Sequence, residues 1–283
     1  ALQRDDDALA RYDRALAAKP GCIESLNNRG NALQALKRYS ESIESYDKAL
    51  ALNPDFADAL NNRGNALRAL GRHAEAVATF NRALILKPGH VEALNHRGGA
   101  LQALQRYSEA LDSYDQALSL NSRCSEAWSN RGVTLQSLRR YREAMASFNT
   151  ALSQRPDYAD ALWNKSLLLL LMGDFDEGWA LYEWRSKRTD AQPATAFAAP
   201  PWLGSEDIKG KRVLLHAEQG LGDTIMFSRY AKLVAARGAT VILAVPQALR
   251  SLLANIDGVS EVVAPGDPCP RYDLQWHSCK LNS

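Results

Sequence analysis

Carboxamide side chains recur along the first part of the chain at positions that repeat every 34 residues. The residues of this series are Asn27, Asn28, Asn31, Asn61, Asn62, Asn65, Asn95, Asn130 and Asn164. Because an amide both donates and accepts hydrogen bonds, a regular series of amides can pair with the backbone of an extended polypeptide whatever its sequence. The alternative is a solvated polar face, but the recurrence of amides instead of Lys or Glu favours peptide binding.

A second group with chemical potential lies in a turn that holds Glu218, Gly220, Gly222 and Asp223. A dinucleotide fingerprint requires a third glycine where Ile225 stands, and no Gly-Lys-Ser/Thr follows to complete a Walker loop. What survives is a tight turn at a helix N-terminus, with one acid at the sheet edge where open α/β sheets bind ligands.

Composition argues against several other kinds of function. The 283 residues carry a net charge of +2, with acids interleaved among the Lys and Arg, which argues against nucleic-acid binding. The longest apolar run, Leu167 to Met172, is too short to span a bilayer, and the N-terminus lacks the pattern of a signal peptide. These two absences lead us to expect a cytoplasmic location. The four cysteines show no zinc-ligand spacing, so we expect reduced thiols and no metal. We also expect no cofactor.

The amides are positioned by a repeated unit. Pro20, Pro54, Pro88 and Pro156 lie on the 34-residue spacing, which only Ser122 interrupts. A glycine column and an aromatic column keep the same spacing: Gly30, Gly64, Gly98 and Gly132, and Tyr46, Phe80, Tyr114, Phe148 and Tyr182. This period predicts helix pairs, in which the glycine of the first helix allows close approach and the proline ends the second helix. The first helices are predicted to begin near Ile23, Ala57, Val91, Ser125 and Ala159.

The pattern resembles the tetratricopeptide repeat. Its succession of large residue, Gly, large residue, Ala, aromatic, Ala and Pro is represented here by Leu60, Gly64, Leu67, Ala76, Phe80, Ala83 and Pro88. The resemblance implies an all-α superhelix, or α-solenoid, over residues 1–187, made of a half repeat and about five repeats, with more repeats expected upstream. In tetratricopeptide arrays the side of the first helix that carries the amides lines a concave groove, and the asparagine ladder of O-GlcNAc transferases is similar.

One column of cations has the spacing of an anion-binding stripe: Arg29, Arg63, Arg97, Arg131 and Lys165. Helical geometry turns this column away from the amides and toward the Ala and Leu positions that face a neighbouring helix. We therefore predict that these side chains pack between repeats. Their charged heads are predicted to pair with second-helix residues such as Asp47, Asn81, Asp115 and Asn149.

The fifth repeat departs from the amide pattern, because Trp163, Leu167, Leu170 and Leu171 occupy its groove positions beside Asn164. An apolar groove end is not expected to remain in contact with water. We expect it to receive the following segment or the second domain, and the alternative is an open hydrophobic pocket for a partner.

The hydrophobic period changes after a Pro- and Ala-rich linker over residues 188–210. Strands are predicted over 212–217, 240–245 and 259–264, with helices over 224–237 and 247–255. This alternation implies right-handed crossovers and a parallel sheet. Because the closing stretch 274–283 is polar and is predicted to form no strand, three strands are expected in a small, incomplete α/β Rossmann-like domain over 211–283.

The sequence from Arg212 to Tyr230 resembles the start of the heptosyltransferase-like glycosyltransferases of GT-B fold. In these enzymes a Gly-Asp at this turn carries the base that deprotonates the acceptor hydroxyl, which implies that role for Asp223; a helix N-cap is the alternative. The junction motifs Glu183-Trp184-Arg185 and Pro201-Trp202-Leu203-Gly204 also occur in bacterial proteins that join such a domain to tetratricopeptide repeats. Because GT-B enzymes hold the sugar nucleotide chiefly in a second domain, the resemblance implies that this chain alone is inactive.

Three functions follow from these patterns. The first is an interaction scaffold that binds an extended peptide or protein client on its amides and is attached to a glycosyltransferase-like remnant. The alternative is a protein or glycan glycosyltransferase that uses a sugar nucleotide when a missing C-terminal half completes it. The third is self-association through the repeat array, for which the unpaired half repeat at the N-terminus provides a surface.

Overall fold

The computed structural model describes residues 2–188, 202, 204, 206–216, 220–268 and 270–277, except the side chains of residues 2–5, 223, 276 and 277. The chain divides into two compact units, Ala1–Asp174 and Phe175–Ser283. Of the linker predicted over 188–210, most residues lie outside the described part.

The first unit is an opening helix followed by helix pairs. Helix α1 (Leu2–Ala18) packs against α2 as the second helix of a preceding pair would. The first helices of the pairs are α2 (Ile23–Ala35), α4 (Ala57–Ala69), α6 (Val91–Ala103), α8 (Ser125–Ser137) and α10 (Ala159–Met172). The second helices are α3 (Tyr39–Leu52), α5 (His73–Leu86), α7 (Tyr107–Leu120) and α9 (Tyr141–Gln154). Every first helix begins at the residue predicted from the sequence, and the predicted helix-pair architecture is confirmed.

The second helices end at one position of the repeat, two residues before the proline column. Helix α7 ends there too, at Leu120, although Ser122 replaces the proline. At this turn the Asn121 side chain accepts a hydrogen bond from the backbone N–H of Arg123 at 3.0 Å. An Asn that bonds the backbone two residues on stabilises a turn. The same turn is formed by Asn53, which is followed by Pro54, so the reversal at α7 keeps this Asn-centred turn and does not require the proline.

The core of each pair is built around one aromatic side chain. Tyr46, Phe80, Tyr114 and Phe148 are completely buried. Each ring lies against a glycine of the paired first helix. A Cβ atom at Gly64 would come within 2.5 Å of Phe80 Cε1, and one at Gly132 would come equally close to Phe148 Cε1, distances that real side chains do not tolerate. The predicted role of the glycine column in helix approach is confirmed.

The second unit contains a four-stranded sheet among its described residues. Its strands are β1 (Arg212–His216), β2 (Thr240–Ala244), β3 (Val259–Val263) and β4 (Leu274–His277). Its helices are α11 (Phe175–Tyr182), α12 (Leu221–Ser228), α13 (Ala231–Ala236) and α14 (Arg250–Leu253), with 3-10 turns at Glu183–Lys187 and Gln247–Leu249. The strand order is β3-β2-β1-β4 and every neighbouring pair is parallel, as predicted.

Strand β4 corrects the prediction that residues 274–283 form no strand and that the sheet has three strands. Its backbone pairs with β1 in register, with Val213 opposite Leu274 and Leu214 opposite Gln275. Leu274 is buried in the core of the unit, while Gln275 is half-buried. The strand is only four residues long and opens a closing stretch that is polar beyond it, so no run of alternating or continuous apolar residues indicated it.

The central strands are covered on both faces. Val213, Leu215 and Val241 pack on one face with Trp202 and Ile208, and Leu214, Ile242 and Val263 form a separate cluster on the other face. The predicted helix over 224–237 is interrupted at Arg229 and Tyr230, which separate α12 from α13. Two-sided burial explains the continuous apolar runs of β1 and β2, since parallel strands are buried on both faces.

Candidate functional site

Successive first helices contact one another, so their side chains form a continuous surface along the first unit. We call this surface the amide face and define it by the fifth, sixth, ninth and twelfth residues of α2, α4, α6, α8 and α10. These positions share one side of a helix because the helical period is 3.6 residues. All nine asparagines predicted to bind peptide belong to this face.

The fifth-position asparagines are buried at the base of the amide face. Asn27 is 8% exposed, Asn61 is 7% exposed and Asn95 is 6% exposed. A buried amide is costly unless it is hydrogen-bonded. Each of these amides therefore needs a partner within the array, and the next first helix supplies it.

A row of hydrogen bonds joins each of these buried residues to the sixth residue of the following first helix. The bonds are Asn62 Nδ2 to Asn27 Oδ1 at 3.1 Å, His96 Nδ1 to Asn61 Oδ1 at 3.1 Å, and Asn130 Nδ2 to Asn95 Oδ1 at 3.0 Å. Part of the series thus has an inter-repeat structural role that the sequence analysis did not identify. These bonds fix the spacing of the sixth-position side chains along the surface.

The sixth-position amides retain unused hydrogen-bonding capacity. Asn62 donates one N–H to Asn27 and accepts one hydrogen bond from Asn61 at 3.4 Å. An amide group has two N–H donors and two acceptor lone pairs. Asn62 therefore keeps one donor and one acceptor, and like Asn28, Asn130 and Asn164 it is half-buried. This is the capacity needed to bond both sides of a peptide unit.

The ninth and twelfth positions support this arrangement. Asn31 is exposed and accepts a hydrogen bond from the Tyr46 hydroxyl at 2.7 Å. Gln34 donates to the backbone carbonyl of Asn62 at 2.8 Å. Asn65 is half-buried and lies 3.4 Å from Nε2 of His96. The predicted site residues of α2 and α4 are therefore brought together on one surface.

His96 replaces asparagine in the sixth-position row. Burial, followed by the nearby Arg68 charge, lowers the pKa of His96 from 6.5 to about 4. Asn65 Nδ2 lies 3.1 Å from Nδ1 and 3.4 Å from Nε2, while Asn61 Oδ1 lies 3.1 Å from Nδ1. Because Asn61 Oδ1 can only accept, we assign the neutral tautomer in which Nδ1–H donates to Asn61 and Nε2 is the acceptor that faces Asn65. Protonation would remove that acceptor, so His96 substitutes for an amide only in its neutral form.

At the fifth repeat the amide face becomes apolar, as the sequence predicts. Trp163, Leu167 and Leu170 are half-buried, and Leu171 is 58% exposed. Among the described residues the side chain of Asn164 has no hydrogen-bond partner. What covers this end of the face stays a prediction.

The arginine column has the structural role that was predicted for it. Arg63 Nε donates to Asp47 at 2.6 Å and its Nη1 donates to Thr79 at 3.1 Å, so one guanidinium joins the second helices on either side. The corresponding bonds run from Arg29 to Asp13 and Ser45, from Arg97 to Asn81 and Ser113, and from Arg131 to Asp115 and Ser147. These arginines hold repeats together and do not form a free anion stripe.

The turn predicted to bind ligand in the second unit is only partly described. Glu218 and the side chain of Asp223 lie outside the described residues. Gly220 precedes α12 as its N-cap, and Gly222 is exposed in its first turn. A Cβ at Gly220 or Gly222 would meet nothing within 4 Å in the described part of the chain. His216 is buried at the carboxyl end of β1.

Among the residues that the structure describes, no group of three or more His, Cys, Asp or Glu side chains is placed to hold a metal ion. Within the same part of the chain, no helix combines the length and the apolar character required to cross a membrane.

Comparison with solved structures identifies similar helical folds. PilW, a type IV pilus biogenesis factor, aligns with a TM-score of 0.59 at 24% identity, over 65% of this chain and 84% of PilW. A tetratricopeptide repeat protein from Parabacteroides merdae aligns with a TM-score of 0.55 at 25% identity, over 65% of this chain and 73% of that protein. TTC0263 from Thermus thermophilus aligns with a TM-score of 0.53 at 25% identity, over 60% of this chain and 93% of TTC0263.

A curated relative matches a shorter stretch. Protein FlbA of Caulobacter vibrioides is 40% identical over 62 residues, which are 22% of this chain. The match spans only 10% of the length of FlbA.

Models of the tetratricopeptide repeat match the sequence over residues 1–55, 27–91, 91–124 and 125–158. These matches end at residue 158, so the glycosyltransferase resemblance of the later residues stays a prediction. The matched segments run without a gap through the helix pairs whose glycine and aromatic columns form the core. The chain therefore belongs to the tetratricopeptide-repeat proteins.

Proposed function

We propose that the first unit is an interaction scaffold that binds an extended polypeptide along the amide face. The observation that carries the proposal is the half-buried sixth-position row, in which Asn62 and Asn130 are held in register by buried asparagines and the amides retain free donors and acceptors. Extended backbone presents N–H and C=O groups that such amides can pair with irrespective of side chains. Because the amides are already positioned, little side-chain entropy is lost on binding.

The proposal is tested with a synthetic library of N-acetylated, C-terminally amidated decapeptides, from which the chain selects ligands. Asn164→Ala is expected to lower the affinity for the selected peptides about tenfold, which corresponds to the loss of roughly one hydrogen bond. The stability of the chain is expected to stay unchanged, because Asn164 has no hydrogen-bond partner among the described residues. Asn149→Ala is the matched control, since Asn149 is exposed on α9 and lies outside the amide face.

Asn130→Ala separates the two roles of the row. It is expected to weaken peptide binding and also to lower the free energy of unfolding by about 1–2 kcal/mol, because the buried Asn95 loses its partner. Affinities come from fluorescence anisotropy and stabilities from urea unfolding. Unchanged affinity in both Asn130→Ala and Asn164→Ala would contradict the proposal, and so would a library from which the chain selects no ligand.

For the second unit we propose a GT-B-like half domain over residues 211–283, with Asp223 as general base and Glu218, Gly220 and Gly222 in its ligand turn. The parallel order β3-β2-β1-β4 supports this assignment, because ligands bind such sheets outside the carboxyl ends of the strands where the order reverses. That reversal lies between β1 and β4, and the turn follows β1. In an enzyme completed by a second GT-B half, Asp223→Asn is expected to abolish transfer of sugar to the acceptor. Unchanged transfer would contradict the assignment.

A further inference from the structure

A cavity of about 370 Å³ opens on the amide face beside α6. Its lining includes Arg68 from the last turn of α4, Gly99 and Gln102 from α6, and Glu126 from the first turn of α8. The amide series extracted from the sequence did not include Arg68 or Glu126. The cavity is predominantly polar. It lies at α6, the middle first helix, where His96 and Gly99 occupy the sixth and ninth positions of the amide face.

Gly99, the ninth residue of α6, lines the cavity and contributes no side chain to it. The ninth position holds Asn31, Asn65, Val133 or Leu167 in the other first helices. A Cβ at Gly99 would lie 3.6 Å from Arg68 Nη1, an ordinary contact distance. The guanidinium of Arg68 therefore borders the space that a larger ninth residue would fill.

Arg68 has no acidic partner among the described residues. Its one hydrogen bond is to Asn65 Oδ1 at 3.4 Å, which is long for a charged donor. Arg82 and Arg139 likewise have no acidic partner among the described residues, but seven arginines of the array are ion-paired: Arg38, Arg72, Arg106 and Arg140 with the Glu three residues later, and Arg29, Arg63 and Arg131 with an Asp of a second helix. Arg68 thus differs from those side chains in keeping its donors available.

A second donor faces the same cavity. Gln102 Oε1 accepts hydrogen bonds from the Thr134 hydroxyl at 2.9 Å and from the Tyr114 hydroxyl at 3.3 Å. With its oxygen held by two donors, the amide directs its NH₂ group away from them, and that group has no acceptor in the described structure. His96, the other titratable cation of the lining, is neutral at pH 7 because burial lowers its pKa to about 4.

Arg68 and Gln102 together provide a charged donor and a neutral donor without an acceptor. A carboxylate satisfies both, since it accepts several hydrogen bonds and gains charge-assisted bonds from a guanidinium. We propose that the peptide residue lying over Gly99 carries an acidic side chain, Asp or Glu, whose carboxylate binds Arg68 and Gln102. This assignment rests on the proposed peptide-binding function and specifies the class of client. Glu126 of α8 lines the same cavity, and because its negative charge opposes any carboxylate, the acidic preference depends on Arg68.

The decapeptide library described above tests the assignment, because its amidated termini leave side chains as the only carboxylates. The wild-type chain is expected to enrich Asp or Glu at one fixed position relative to the other residues. Arg68→Gln is expected to weaken the best acidic peptide about tenfold or more, and Arg68→Glu to shift the preference at that position to Lys or Arg. Because Arg68 is exposed and makes one weak bond, both variants are expected to retain the stability of the wild type.

Two further variants act as controls. Glu126→Gln removes the opposite charge from the same cavity and is expected to retain or strengthen the acidic preference. Gly99→Val introduces the ninth residue of α8 and narrows the cavity beside Arg68 Nη1, so it is expected to weaken the preference while other peptides still bind. Selection by the wild type without an acidic position, or an acidic preference that survives in Arg68→Gln, would overturn the assignment while leaving peptide binding intact. A library with no ligands would instead refute the peptide-binding proposal itself.

Discussion

Gly98→Ala is expected to lower the free energy of unfolding by about 2 kcal/mol. The new Cβ would lie 2.5 Å from Tyr114 Cε1 and 2.7 Å from Tyr114 Cζ, and this ring is completely buried. Overpacking of a core typically costs about 1–3 kcal/mol. The gain in helix propensity, at most about 1 kcal/mol, offsets only part of that cost.

The neighbouring glycine provides a matched control on the same helix. Gly99→Ala has the same propensity gain, but its Cβ would meet only Arg68 Nη1 at 3.6 Å and the Tyr114 hydroxyl at 3.8 Å. We expect Gly99→Ala to leave stability unchanged or raise it by up to about 1 kcal/mol. Urea unfolding followed by circular dichroism measures both variants. Equal midpoints for the two would show that the close approach of α6 and α7 is not what this position requires.

Acidification is expected to destabilise the first unit through His96. The pKa of this side chain is about 4 in the folded chain, where burial is the main cause, against an ordinary value of 6.5. Between these pH values the unfolded chain binds a proton that the folded chain does not, so stability falls as the pH is lowered through this window. At 1.36 kcal/mol per pH unit, the full loss is at most about 3 kcal/mol.

His96→Asn isolates this contribution, because asparagine occupies the same position in the other four first helices. The variant is expected to lose less stability than the wild type when unfolding is measured at several pH values from 7 down to 4. Other groups around this ring act in both directions, since His90 opposes protonation and Glu92 favours it. Parallel pH profiles for wild type and variant would contradict the assignment.

The helical architecture could be predicted from the sequence almost to the residue. Because the spacing is constant, each repeat indicates the start of its first helix independently. The predicted starts at Ile23, Ala57 and Ser125 agree with the structure. The role of the arginine column followed from helix geometry alone, because the residues it faces are set by the helical period. Comparison of the repeats within this one chain thus gave the information that an alignment of related sequences usually provides.

The amide face was predicted less completely. Periodicity gives the direction of Asn61 and Asn95 but not the distance to the next helix, so their burial and their bonds to the sixth position could not be foreseen. Arg68 was not predicted because the twelfth position holds Gln34, Gln102 and Gln136 in three other repeats, and the series was defined by its amides. Gly99 lies in a column of mixed residues, so the sequence pattern gives no signal there.

In the second unit the sequence predicted three of the four strands that the structure describes. The three strands with apolar runs were found within a residue or two, because burial on both faces leaves a continuous hydrophobic signal. Strand β4 leaves no such signal, because it is four residues long and lies at the start of a polar stretch; its pairing with β1 is seen only in the structure. The side chain of Asp223 lies outside the described part of the chain, so its proposed role as general base rests on the sequence resemblance.

Peptide binding on the amide face requires that amides of the first helices bond to the backbone of an extended peptide. The most direct test is the affinity of a selected decapeptide whose backbone N–H groups are methylated one at a time, which removes a donor and leaves the side chains unchanged. We predict losses of about tenfold or more at alternate residues, and a smaller loss at one of these residues when Asn164 is replaced by alanine. Affinities that are indifferent to methylation at every position would contradict the claim.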